Sequence, residues 1–363
     1  MSPPRLAFYA PMKAPTHPTP SGDRAMARSL MALLQEGGGE VTLASDLRLH
    51  EMLGDRDQQA LLQQRAAREV GRLIEEMPEV DLWVTYHNYY KAPDLIGPAV
   101  AAARDIPYVQ IESTRASKRL SGPWADFARA AHAAADQAAV IFYLTEQDRA
   151  TLERDRMGDQ RLIHLRPFLP RADLPAAGTL DGPMLAAGMM RPGDKLASYA
   201  LIAETLRHLD TLGQSDWQLE IAGDGPARPL VEALIAPFGR RVRLLGALEQ
   251  EAMHQAYGRA GLFLWPGVNE AYGMVYLEAQ AHGLPVVAQD RPGLRDILLS
   301  GQAPAVDAGA GALALAVKRL LTSASERADI GRRARHHIAT HHLRPAASAT
   351  LWSALRPLLG RPG

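Results

Sequence analysis

The chain contains no cysteine, which excludes disulfide scaffolds, thiolate metal sites and cysteine nucleophiles and suits a reducing compartment. Net charge is also missing, because 40 lysines and arginines balance 40 aspartates and glutamates. No global field therefore draws the protein to nucleic acid, although local patches stay available. No apolar run approaches the roughly 20 residues that cross a bilayer. Met1-Ser-Pro-Pro-Arg5 leads straight into the apolar run Leu6–Ala10 without the pattern of a signal peptide. Together these absences lead us to expect a cytoplasmic protein, with peripheral contact at the inner face of the membrane left open.

What is present is a rhythm. At 363 residues the chain suits two domains, each large enough to bury a core. Strand-like apolar runs separated by helical patterns give the alternation of a parallel α/β sheet. Strands are expected at Leu6–Ala10, Glu40–Ala44, Leu82–Tyr86, Pro107–Ile111, Ala139–Leu144 and Leu162–Leu165. A second series is expected at Met184–Ala187, Trp217–Ala222, Val242–Leu245, Gly261–Trp265, Pro285–Ala288 and Ala303–Val306. Between them, Arg166 to Pro183 carries four prolines and two glycines, which break any helix. The expected organisation is a doubly wound domain over 1–166, a linker and hinge over 167–182, a second doubly wound domain over 183–342 and a closing helix over 343–363.

The most informative stretch is Pro266-Gly-Val-Asn-Glu-Ala-Tyr-Gly-Met-Val-Tyr-Leu-Glu278. It reads as the end of a strand, a turn and a helix start near Ala271, with Met274, Leu277 and Ala281 at helical spacing. The backbone N–H groups of Gly273, Met274 and Val275 fall in a first turn without intrahelical partners, where phosphate binds well. Glu270 and Glu278 lie eight residues apart, so one ligand can touch both. Carboxylates accept hydrogen bonds from sugar or ribose hydroxyls, and the combination describes a bound sugar nucleotide. Spacing alone equally allows a dipole-favoured cap at Glu270 and a solvated Glu278.

This block resembles the signature of the retaining nucleotide-sugar glycosyltransferases of family 4. The match consists of Glu270, Tyr272-Gly273, Glu278-Ala279 and Gly283-Leu-Pro-Val-Val287. The resemblance runs over essentially the whole chain and implies the GT-B fold, in which two Rossmann-like domains face each other across a cleft and the last helix crosses back to the first. It further implies sugar transfer from a nucleotide diphosphate to an acceptor hydroxyl with retention of configuration. The sugar nucleotide is then a co-substrate, and no cofactor or metal is expected.

Family correspondence places the donor site in the second domain. Gly188-Met-Met-Arg-Pro-Gly-Asp-Lys195 follows the first strand, where the family carries two basic residues that bind the pyrophosphate. Lys195 corresponds to one of them, while Met189 stands where the arginine is expected and Arg191 is its displaced substitute. Glu270 is expected on the sugar, Glu278 on the ribose, and Tyr272 with the Gly273–Val275 amides beside the phosphates. Gly223 and Gly225 shape the nucleotide pocket, and Gly246 delivers Ala247 or Leu248 to the base. The segment is not a dinucleotide fingerprint, since Arg228 occupies the third glycine position. Arg291-Pro-Gly293 keeps one glycine of a family turn and leaves the role of Arg291 open.

Acceptor groups are expected in the first domain. Gly22 permits close approach at a helix start, and Asp23 is either a hydroxyl ligand or the helix cap. His87 closes a strand where the family frequently places a histidine, so the expected catalytic groups are Glu270, His87 and Lys195. Lys91 suits an anionic acceptor, and Glu112 suits an acceptor hydroxyl. Arg115, Lys118 and Arg119 form a basic cluster that meets either solvent or a phosphorylated acceptor at a membrane surface. Asp55-Arg-Asp57 imitates a metal-binding motif but opens a polar helix, and His336, His337, His341 and His342 read as a solvated basic helix. Two rival readings remain: an epimerase or phosphorylase on the same fold, and a non-catalytic protein that binds sugar nucleotides.

Overall fold

The computed structural model describes residues 2–19, 21–270, 272–299 and 303–360. The chain divides into two compact units, one comprising Met1–Arg166 with Pro345–Gly363 and the other Pro167–Arg344.

The first unit runs β1 (Arg5–Tyr9), α1 (Gly22–Glu36), β2 (Glu40–Ser45), α2 (Arg56–Glu76), β3 (Leu82–Asn88), α3 (Gly97–Ala103), β4 (Tyr108–Ser113), α4 (Ala125–Gln137), β5 (Val140–Tyr143), α5 (Glu146–Arg154) and β6 (Arg161–His164). All six strands are parallel, in the order β2-β1-β3-β4-β5-β6. Central strands covered on both faces need unbroken apolar runs, which is why β5 reads Val-Ile-Phe-Tyr and is buried throughout. Helix α1 starts where the Ser21 hydroxyl accepts from Arg24 N at 3.3 Å, and it buries Met26, Leu30, Leu33 and Leu34 at helical spacing. Beneath β3 and β4, the buried Asp94 carboxylate accepts from Thr85 at 2.5 Å, Tyr108 at 2.7 Å, and the amides of Ile96 and Gly97 at 2.9 and 2.8 Å. Burial raises the pKa of this acid while those donors oppose the rise. The hub fixes α3 against the two strands that carry His87 and Glu112.

The second unit runs β7 (Met184–Ala187), α6 (Asp194–Thr211), β8 (Leu219–Ala222), α7 (Arg228–Ile235), β9 (Val242–Gly246), α8 (Gln250–Arg259), β10 (Leu262–Leu264), α9 (Met274–Ala281), β11 (Val286–Val287), α10 (Gly309–Thr322) and α11 (Ala324–His341). Its five parallel strands are ordered β11-β10-β7-β8-β9. The chain closes with α12 (Arg344–Leu359), which packs on the first unit. Trp352 of α12 lies so close to Gly37 that an added Cβ would come within 1.6 Å of its Nε1. Burying each large apolar side chain of this helix contributes on the order of 1.5–3 kcal/mol. No helix among the described residues is long and apolar enough to cross a membrane.

Several expectations need correction. Ala303–Val306 is not a strand: Ala305 forms a single bridge to Asp290, next to Pro304, which has no N–H to extend a ladder. The region expected as a linker and hinge, 167–182, is bonded along the second unit. Leu169 N donates to His342 O at 2.8 Å, Gly178 N to His282 O at 2.7 Å and Thr179 N to Gly258 O at 3.0 Å. Ala271, the expected helix start, lies outside the described residues, and α9 begins at Met274. His342 is buried rather than solvated, with Nδ1 donating to Pro167 O at 2.7 Å. Asp55-Arg-Asp57, by contrast, opens a helix as expected, with Asp55 capping α2 by accepting from the amides of Asp57 and Gln58 at 2.9 and 3.1 Å.

Candidate functional site

In an open parallel sheet, ligands gather at the carboxyl ends of the strands where the strand order reverses. In the second unit that point lies between β7 and β10, so the turns after them, 188–193 and 265–270, form the rim. The two turns are fastened together. Val268 N donates to Ser198 Oγ at 3.0 Å, and Asn269 Nδ2 to Asp194 Oδ1 at 2.9 Å. Asn269 and Gly267 adopt φ of 50° and 75°, and a Cβ on Gly267 would meet the Tyr276 hydroxyl at 2.2 Å. These constraints hold Glu270 where Lys195 Nζ and Trp265 Nε1 both donate to its Oε1, the latter at 3.1 Å. The ammonium also lies 5.6 Å from the centroid of the Trp265 ring.

The turn carrying Lys195 is packed backbone against backbone. A Cβ on Gly223 would fall 2.0 Å from Gly188 O, and one on Gly225 would fall 2.4 Å from Met190 O. These glycines thus set the turn after β7 as well as their own. Arg191 is exposed and takes no side-chain hydrogen bond or ion pair among the described residues, so the structure brings Lys195 and Glu270 together but leaves Arg191 at the rim. Gly273 precedes α9 at φ 62°, and the amides of Met274 and Val275 fall in its first turn, where helix geometry supplies no acceptor within the helix. Arg291 donates to Gln289 Oε1 at 2.6 Å.

Glu278 belongs to a cavity of about 440 Å3 whose walls include Leu248, Gln250, His254, Tyr257 and His282. The Tyr257 hydroxyl donates to Glu278 Oε2 at 2.9 Å. Burial raises the pKa of Glu278, opposed by that hydrogen bond. Burial also brings His282 down to about 4, so its ring is neutral. His282 Nδ1 then donates to Glu278 O at 2.8 Å, and its Nε2 accepts from His254 Nδ1 at 3.3 Å. Leu248 and Glu278 thus line one cavity, whereas Ala247 is exposed.

In the first unit, β1 and β3 flank the reversal of strand order. Asp23 is not the cap of α1, a role Ser21 takes; its Oδ1 lies 3.2 Å from His87 Nδ1. His87 and Glu112, each the last residue but one of its strand, have positive φ, 67° and 59°, a strained conformation that concentrates at functional sites. Burial lowers the pKa of His87, but the carboxylates of Glu112, Asp23 and Asp148 outweigh it and the net shift is upward. Burial raises Glu112, whose Oε2 has no hydrogen-bond partner among the described residues. Asp23 is lowered, chiefly by its hydrogen bond to His87. Gly22 has open space around its Cα.

Two first-unit expectations change. Lys91 lies over the rings of Tyr90 and Trp124. Arg115 is buried and paired with Asp136 at 2.6 Å, so it does not join Lys118 and Arg119 as a basic surface. Sequence reasoning missed Trp265, Ser198, Asn269, Tyr257, His254, His282 and Asp148. A tryptophan directly before Pro266 was the one visible signal among them.

Residues 184–323 match the family model described as Glycosyl transferases group 1. Over 252 residues the chain is 26% identical to Alpha-D-kanosaminyltransferase of Streptomyces kanamyceticus, a match covering 65% of this chain and 64% of that protein. It is 33% identical over 183 residues to the D-inositol 3-phosphate glycosyltransferase of Salinispora tropica, covering 46% of this chain and 36% of that one. The chain therefore spans less than two thirds of the length of these curated relatives. Among solved structures, Anabaena Alr3699/HepE in complex with UDP superimposes with a TM-score of 0.71 at 15% identity, over 97% of this chain and 100% of that one. Residues 184–323 of the second unit thus resemble glycosyl transferases group 1, on a chain whose two parallel α/β sheets have the GT-B fold.

Proposed function

We propose that the protein is a glycosyltransferase that moves a sugar from a nucleotide diphosphate to an acceptor hydroxyl with retention of configuration, in the synthesis of a glycan, glycolipid or other glycoconjugate. The observation that carries this reading is the Lys195–Glu270–Trp265 arrangement at the strand-order reversal of the glycosyl transferases group 1 domain, one helix from the Glu278 cavity. A cation for the diphosphate and a carboxylate for the sugar meet there, and Glu278, a carboxylate for the ribose, lies on the helix that follows. The similar Alr3699/HepE forms a complex with UDP, which makes UDP-sugars the first donors to try.

In this reading Glu278 accepts from the ribose hydroxyls and Leu248 lies against the base. Lys195, Arg191 and the amides at the start of α9 take the diphosphate, and no metal is required to neutralise it. Glu270 accepts from the sugar hydroxyls. The bond from the anomeric carbon to the diphosphate oxygen breaks as the acceptor oxygen bonds to the same face, and the acceptor proton passes to the departing diphosphate. In the first unit, Asp23 and Glu112 bind acceptor hydroxyls, and Asp23 holds the His87 ring beside them.

A thermal-shift panel of UDP-, GDP- and ADP-sugars, without metal, tests this on wild type, Glu278→Ala and Tyr257→Phe. One nucleotide is expected to raise the melting temperature of wild type, to fail with Glu278→Ala, and to bind Tyr257→Phe about three- to tenfold more weakly, the loss of one orienting hydrogen bond worth about 1 kcal/mol. Because the pKa of Glu278 is raised, affinity is expected to fall as the pH drops through that raised value. No shift with any nucleotide would abandon the reading. Binding without turnover on a broad acceptor panel would turn it into a non-catalytic sensor, and product formed from the donor alone into an epimerase.

A further inference from the structure

Three segments of the first unit meet at one surface: 51–54, 90–91 and 117–124. Glu51 N donates to Lys91 O at 2.9 Å, and Gln59 Nε2 to Pro123 O at 3.0 Å. A Cβ on Gly54 would meet Pro123 Cβ at 2.5 Å, so the loop that opens α2 lies directly on the 123–124 turn. Large aliphatic side chains stand out from this surface, with Leu53 86%, Met52 54% and Leu120 37% exposed.

Beside them is a cationic shelf. Tyr90 and Trp124 pack edge to face with centroids 5.7 Å apart. Lys91 Nζ lies 5.8 and 5.3 Å from the two centroids, and Arg119 Cζ 5.2 and 5.3 Å. Lys118 is exposed next to Arg119. Neither Lys91 nor Arg119 has a carboxylate partner among the described residues, so two cations crowd the same pair of rings without a counter-ion. The neighbouring acids are engaged elsewhere. Glu51 accepts from the amides of Leu53 and Gly54, each at 2.6 Å, Asp55 caps α2, and Asp126 pairs with Arg129.

We propose that this face docks the protein on an anionic phospholipid bilayer. Met52, Leu53 and Leu120 enter the boundary between headgroups and acyl chains, Tyr90 and Trp124 sit at headgroup level, and Lys91, Lys118 and Arg119 meet the phosphates. The alternative partner for a basic aromatic surface is an anionic glycan. Here the aromatic faces are already taken by Lys91 and Arg119, which leaves no platform for a sugar ring, and the protruding aliphatic side chains have no counterpart on a glycan. The proposal does not depend on the transfer reaction.

Flotation of the full chain with phosphatidylcholine vesicles, with and without phosphatidylglycerol, tests it, alongside binding to immobilised heparin as an anionic glycan. Wild type is expected to float only with the anionic vesicles, and less so as salt is raised. Met52→Ser with Leu53→Ser should weaken binding about tenfold or more. Lys118→Ser with Arg119→Ser should weaken it about fivefold for each cation removed. All four positions are exposed, so thermal melts of the variants should match wild type and exclude misfolding as the cause. Equal flotation with neutral vesicles, or flotation unchanged in the Met52/Leu53 variant, overturns the proposal. Heparin binding that the Met52/Leu53 variant retains, without vesicle binding by wild type, overturns it in favour of a glycan surface.

Discussion

Lys195→Met probes the assigned chemistry most directly, because its effect separates phosphate from the rest of the ligand. In the free protein the ammonium pairs with Glu270, and the two side chains are 28% and 13% exposed. A charge-assisted hydrogen bond to phosphate contributes about 1.5–3 kcal/mol. Lys195 must first loosen its hold on Glu270, and an ion pair still in reach of water is worth only about 1 kcal/mol. The net contribution to ground-state binding is then about 0.5–2 kcal/mol, a loss of about two- to thirtyfold in Kd. The leaving diphosphate carries more charge in the transition state, so the rate of transfer should fall further, by about 100- to 1,000-fold. Calorimetric titration of nucleoside, nucleoside diphosphate and sugar nucleotide reads the first effect, and single-turnover kinetics the second. Nucleoside affinity should hardly change. Glu270→Gln should act with the opposite sign on the diphosphate, tightening it slightly by freeing Lys195, while transfer collapses. Equal losses for nucleoside and diphosphate in Lys195→Met, or a rate loss no larger than the affinity loss, would refute the assignment.

Two further outcomes follow from the geometry. Asp23→Asn removes one of the carboxylates that hold the pKa of His87 up, so the pKa of His87 should fall, readable as a shift of its ring resonances in an NMR titration and of the basic limb of the activity profile. In wild type the raised His87 contributes stability that is complete below its unfolded-state pKa and lost as pH rises through its folded one; the lowered Asp23 contributes stability above its own unfolded-state value and loses it as pH falls through its folded one. A basic limb that stays in place in Asp23→Asn contradicts this. Gly223→Ala places a methyl group 2.0 Å from Gly188 O, which the backbone can relieve only by moving the turn that carries Lys195. The melting temperature should drop by several degrees, as expected for about 1–3 kcal/mol of overpacking, and diphosphate affinity with it; unchanged values of both count against the turn's role.

The sheets were legible because parallel strands buried on both faces must be written as apolar runs. Met184–Ala187 is the strand that was read, and in the first unit the observed boundaries differ by at most two residues. Reading failed where an apolar run contains Pro304, since hydropathy says nothing about a missing N–H. Glu270, Glu278 and Lys195 stand out through spacing and resemblance to a family, but their partners do not. Lys195 and Glu270 are 75 positions apart, and Tyr257 is 21 from Glu278; such pairs are made by topology and leave no local pattern. Asp23 looked like a cap because it opens a helix, yet Ser21 reaches the free amide first and leaves Asp23 for His87. Arg115 looked like part of a basic surface because sequence cannot show that Asp136 comes to meet it.

Trp265 gives the proposed donor site an optical reporter of its own. Its indole is buried, donates to Glu270 and lies under the Lys195 ammonium, so the charges nearest the chromophore are those a diphosphate would rearrange. Drawing Lys195 toward phosphate changes the field across the ring, and with it the colour and yield of emission. Occupancy of the site should therefore be visible in the intrinsic fluorescence of the unlabelled protein, and a Trp265→Phe variant should lose that signal.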